Sequence, residues 1–214
     1  MTNPFKPPYS PTKKLIFFAV LLGITLIVYV ILNEKIENGG LAEPVPDFVD
    51  ISCSKLTELD ESRIALTVPG AYAADATQES LNETASQLGY ESIVLNEDGS
   101  VTYTITKDQH KEMLDNLRSG IIKTLNGMIG SADYKRITSI EPNDDLTYIK
   151  VTLNTKNIDY KNSMSMIQFK TYFLLYNAFN GTPDAKLSVD YFDKDGKLIL
   201  TMGSDDLNTK PGSQ

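Results

Sequence analysis

The chain has 214 residues, 41% hydrophobic and 22% charged, with a net charge of −8, one cysteine and one histidine. A domain of about 150 residues buries roughly 70% of the surface its unfolded chain exposes, so it can stand without a disulfide, and a lone cysteine can form none internally. The acidic surplus repels phosphate backbones and anionic headgroups, which disfavours nucleic-acid binding.

Residues 1–14 contain Pro4, Pro7, Pro8 and Pro11. Proline fixes φ and removes donors, so this tail reads as an extended cytoplasmic segment, either a spacer or a ligand for an aromatic groove. Residues 15–32, LIFFAVLLGITLIVYVIL, carry no charge. Eighteen such residues predict one transmembrane helix across a hydrocarbon core of about 30 Å. Lys6, Lys13 and Lys14 precede this run, so the N-terminus is expected in the cytoplasm and the rest outside the cell membrane. The apolar core is longer than that of a secretory signal, which favours a retained signal-anchor over cleavage near Gly40-Leu41-Ala42. Beyond residue 32 lie 28 acidic and 17 basic residues, a net of −11 that keeps an exported domain soluble.

Residues 33–48 read as a flexible stalk, loosened by Gly39-Gly40 and kept from regular pairing by Pro44 and Pro46. The extracytoplasmic domain is expected over 49–206, ahead of a disordered tail at 207–214. Residues 49–53 alternate as a strand does, which places Cys53 as a small buried side chain, with intermolecular pairing as the alternative. The segment Arg63–Val68 alternates Ile64, Leu66 and Val68 with smaller or polar residues and predicts a half-buried strand. A helix follows over 75–88, with Asp75 as cap, Gln78 in the capping-box position and Gly89 as stop. Strands at 90–95 and 100–106 flank Asn96-Glu97-Asp98-Gly99, whose glycine supplies the positive φ of a tight turn.

Thr106 and Gln109 have the spacing of another capping box, opening a helix to about residue 129. Leu114, Leu117, Ile121, Leu125 and Met128 form its apolar stripe. Gly120 and Gly127 on one flank of it suggest either a close approach or a hinge. A second hairpin is expected from 136–141 and 146–154, a third helix at 159–180, and a third hairpin from 186–192 and 197–202. The expected fold is α+β: a mainly antiparallel sheet built from one strand plus three helix–hairpin units, helices packed on one face, preceded by the transmembrane helix.

Candidate sites are few. His110 lies on the apolar stripe of the second helix, either as a core-edge, hydrogen-bonded residue or as a general base or pH sensor. A single histidine makes no zinc site of the usual kind. Asp193, Asp195, Asp144 and Asp145 suit turns better than calcium, since no later Glu completes a binding loop. The stretch MSMIQFKTYFLLYNAF is apolar nearly all round after Lys170. It predicts a helix buried on several sides, or else a patch made of Met164, Met166, Phe169, Tyr172, Phe173 and Tyr176 that docks a partner or small apolar ligand. No nucleotide, nucleophile-elbow or His/Cys motif is present, so no catalytic residue, metal or cofactor is assigned.

Residues 60–69, 99–113 and 137–153 resemble an uncharacterised family of small exported domains, membrane- or lipid-anchored, from Gram-positive bacteria. The likeness runs over about 60–206, and the TKDQHKEM stretch at 106–113 is its distinctive part. It implies an envelope location. This chain lacks the lipobox cysteine of the lipid-anchored members, so that anchor does not carry over, and no activity comes with the family. The expected function is a membrane-anchored, non-enzymatic module binding an envelope protein or small apolar ligand. An envelope-acting enzyme using unidentified carboxylates and a structural spacer are the competing classes.

Overall fold

The computed structural model describes residues 48–73 and 76–205. Its strands are β1 (Lys55–Glu58), β2 (Arg63–Val68), β3 (Ser92–Leu95), β4 (Val101–Thr106), β5 (Ile137–Pro142), β6 (Tyr148–Leu153), β7 (Ser188–Phe192) and β8 (Leu198–Gly203). The helices are α1 (Gln78–Leu88), α2 (Lys107–Met128) and α3 (Ser165–Asn180), with a single helical turn at Tyr160–Ser163 leading into α3. The fold is α+β, but not around one sheet. It holds two four-stranded sheets, ordered β1-β2-β4-β3 and β5-β6-β7-β8. The first is antiparallel throughout; in the second, β6 and β7 run parallel.

The reason for the division is α2. Thr106 ends β4 and at once caps this helix, accepting from the Gln109 amide at 3.1 Å while the Gln109 side chain accepts from the Thr106 amide at 2.9 Å. At 1.5 Å per residue, 22 residues carry the chain roughly 33 Å away from the first sheet. The four strands after it pair with one another in the second sheet. The transmembrane helix expected ahead of the domain is also no part of the described fold. Residues 15–32 lie outside the described residues, and no helix of the described residues is long and apolar enough to cross a membrane. The stalk to residue 47, Asp75 and the tail from 206 fall outside them as well.

Each sheet has its own core. In the first, Ile64, Leu66, Val68, Ile93, Val101 and Ile105 meet Leu81 and Ala85 of α1 and Met113 of α2. In the second, Ile137, Ile149, Val151, Leu153, Val189 and Tyr191 meet the later turns of α2 and most of α3. Residues i and i+2 share a strand face, so both sheets turn one apolar side inward and leave a polar side outward.

Several local expectations need correction. α1 begins at Gln78, capped by Thr77 and Ser80 in a reciprocal box. Gln78 is left free to bond β3 instead. Its side-chain amide donates to the Ile93 carbonyl at 2.8 Å and accepts from the Leu95 amide at 2.9 Å. Cys53 is exposed, because the chain turns there and its first strand starts only at Lys55. Nothing lies within 4 Å of a Cβ placed on Gly127, so no close approach requires that glycine.

Candidate functional site

The α3 patch is not on the surface. Met166 and Phe169 are fully buried, Phe173 nearly so, and Tyr172 and Tyr176 expose less than a tenth of their area. Met164 is half-buried at the N-cap of α3. The helix is apolar nearly all round because the second sheet, α2 and the first half of the chain all press on it. Even its lysine is enclosed: Lys170 Nζ donates to the Ser204 carbonyl at 2.9 Å and lies 4.2 Å from the centroid of the Phe48 ring. Burial holds its pKa below the usual lysine range. The patch reading therefore fails, and the buried-helix reading describes what is seen.

His110 sits in the first turn of α2, half-buried, with Nε2–H donating to the Phe179 carbonyl at 2.8 Å. That carbonyl is among the last four of α3, which have no partner within the helix. The Phe179 ring lies 6.0 Å from Tyr72 and 6.2 Å from Tyr103, both in the first half of the chain. His110 thus joins the two halves.

The turn aspartates are occupied by turns. Asp193 Oδ1 accepts from the amides of Asp195 and Lys197, and Asp145 Oδ1 accepts from both the amide and hydroxyl of Thr147. Asp144 holds Arg118 at 3.0 Å. Among the described residues no three His, Cys, Asp or Glu side chains cluster as metal ligands do.

Two surfaces offer polar groups together. A shallow cleft of about 220 Å³ is lined by Ala132, Asp133, Lys135, Arg136, Asp159 and Asn162. Of its two acids Asp159 is engaged within the fold: it pairs with Arg136 at 3.2 Å and accepts from the amide and side chain of Asn162. That arrangement is structural, since it tethers the start of β5 to the approach to α3.

The outer face of the second sheet is the larger surface. The parallel register sets Lys150 beside Asp190 and Thr152 beside Phe192. Asp190 accepts from Tyr148 Oη at 3.1 Å and from Thr201 Oγ1 at 2.6 Å. Lys150 Nζ lies 3.5 Å from Glu141 and 5.9 Å from the centre of the Phe192 ring. Ser139 donates to Glu141 at 2.8 Å, and this bond is the main cause holding the carboxyl below its usual range. Partial burial, then the Asp190 contact, pushes the Tyr148 phenol up. A row drawn from four strands is thus ordered in advance, with two aromatic rings and both charge signs.

The sequence reading missed this row. Tyr148, Lys150 and Thr152 alternate with Ile149, Val151 and Leu153, which marks them as outward-facing. Their partners Asp190 and Phe192 lie some forty residues on, and no local signal pairs β6 with β7.

No protein-family profile matches the chain, and neither the curated proteins nor the solved structures contain a significant match to it.

Proposed function

We propose that this protein is a non-enzymatic interaction module, held at the outside of the cell membrane with its N-terminus in the cytoplasm, that engages an envelope protein through the outer face of its second sheet. The location rests on the uncharged run at residues 15–32 and the lysines before it. A protein partner is favoured over a small apolar ligand because the α3 side chains that would hold such a ligand are packed in the core. The observation that carries the reading is the ordered row Tyr148, Asp190, Thr201, Lys150, Phe192 and Glu141. Aromatic groups and side chains whose rotamers are already fixed lose little entropy on association.

The test compares full-length wild type with a Lys150→Glu/Phe192→Ala variant as bait in a solubilised envelope fraction. A protein retained by the first and lost by the second supports the proposal. Equal retention moves binding away from this face. Protease added to intact cells separately checks the location: digestion of the domain is expected, and its survival would remove the extracytoplasmic assignment.

A further inference from the structure

Asp190 stands at the centre of the outer face of the second sheet. The strand registers place Glu141, Lys150, Asp190 and Thr201 in one line across β5, β6, β7 and β8. The Asp190 carboxylate is held from both neighbouring strands. Its Oδ2 accepts from Tyr148 Oη on β6 at 3.1 Å, and its Oδ1 accepts from Thr201 Oγ1 on β8 at 2.6 Å. Lys150 is its neighbour in the line, yet the lysine Nζ turns to Glu141 at 3.5 Å and to the Phe192 ring at 5.9 Å. No cationic side chain among the described residues stands within ion-pair distance of Asp190, which is thus a half-buried acid without a counter-charge. Withdrawing such a group from water is unfavourable when nothing of opposite sign compensates. The fold does not call for an acid here, because asparagine can accept from one of the two hydroxyls and donate to the other.

We propose that the protein partner of this face presents an arginine to Asp190. A carboxylate has about four acceptor positions. Tyr148 and Thr201 occupy two of them, one on each oxygen, which leaves one on each oxygen for a new donor. A guanidinium fork fills such a pair with two parallel N–H bonds, whereas an ammonium is a point donor without that geometry. Because both hydroxyls already fix the carboxylate, forming the pair orders little more than the incoming side chain. Lys150 and Glu141 offset each other, so Asp190 leaves the line with one negative charge in excess, which arginine cancels. The acidic surplus beyond residue 32 draws a basic segment toward the domain from a distance, and Asp190 selects which of its residues docks. This partner chemistry rests on the face being the binding surface, and the two fail in different ways.

The test pans a displayed library of random peptides with the detergent-solubilised full-length chain. Wild type is expected to enrich peptides that share an arginine at one position. Asp190→Asn should lose that preference with its circular dichroism unchanged, and Lys150→Glu/Phe192→Ala should retain none of the wild-type set. The most enriched peptide is then synthesised with its shared arginine replaced by lysine or by citrulline. Either replacement should weaken binding to wild type by about tenfold or more, and binding to Asp190→Asn by far less. Peptides lost with Lys150→Glu/Phe192→Ala but indifferent to Asp190→Asn would overturn the arginine and keep the face. Equal binding of the lysine peptide, or basic residues favoured alike at every position, would also overturn it, the latter as general attraction to an acidic domain. Peptides indifferent to both variants, or no enrichment by wild type, would overturn the face and the arginine together.

Discussion

Both halves of this domain are built as hairpin, helix, hairpin, yet they are wired differently. In the first half α1 connects β2 to β3, and β4 then inserts between them, giving β1-β2-β4-β3. In the second half α3 connects β6 to β7, which lie side by side and parallel, and β8 takes the outside. The last hairpin is thus folded inward in one half and outward in the other. β4 delivers the chain directly into α2, which packs beneath both sheets, and β4 sits centrally in its sheet. β8 forms an edge of the second sheet. Burial agrees: Val101 and Ile105 of β4 are essentially inaccessible, while Leu198 and Leu200 of β8 are exposed.

Two cores with one helix through both raise the question of whether the halves melt together. Phe169→Ala empties the larger core and is expected to cost about 3–5 kcal/mol, against about 2–4 kcal/mol for Leu81→Ala in the smaller one. Denaturant titrations by far-UV circular dichroism and tyrosine fluorescence should show one shared transition in both variants. Two separated transitions would make the halves independent units.

Alkaline pH probes one buried phenol from each half. Burial raises Tyr103 and Tyr172 to about 12. Their ordinary value is about 10, so their contribution is complete below about pH 10 and is lost as the pH rises toward 12. Tyrosinate absorbance should therefore rise together with the loss of ellipticity above about pH 10. Ionisation of either residue without unfolding would show that its pocket admits the phenolate.

A paired glycine comparison isolates the junction. Gly89 and Gly181 both end helices at positive φ, 71° and 69°. At Gly89 an added Cβ meets nothing within 4 Å, so Gly89→Ala should cost only the backbone penalty of about 1 kcal/mol. At Gly181 the same methyl would strike Leu56 of β1, and a loss of about 2 kcal/mol or more is expected in thermal or chemical unfolding. Equal losses would mean that β1 yields freely and the halves are loosely joined. The smallest effect is expected at His110, where Gln can still reach the Phe179 carbonyl; His110→Gln should cost under about 1 kcal/mol. A loss of several kcal/mol would mean that this one bond governs the junction.

Much of the local structure is legible in the sequence because its causes are local. The Thr106–Gln109 box, the Gly89 and Gly181 stops, and the stripe through Leu117, Ile121 and Leu125 each depend on neighbours three or four residues away. The turns at Asp98-Gly99 and Asp195-Gly196 are just as self-contained. Reading goes astray where two explanations share one local pattern. Thr77 and Asp75 are both good caps, and Asp75 would have left Gln78 inside the box instead of on the edge of β3. The alternation at 49–53 suits a strand, but the Ser54 amide closes a turn onto the Ile51 carbonyl.

The amino-acid order settles where helices start, where hairpins turn and which face of each strand is apolar, because these depend on side-chain period and backbone bonding within a few residues. It does not settle that there are two sheets, that β4 is central while β8 is an edge, or that α3 is enclosed. Those outcomes depend on contacts such as His110 with Phe179 and Tyr148 with Asp190, made across 69 and 42 residues. Long-range pairing is a competition among all the strands for the same apolar faces, and only the complete packed molecule resolves it.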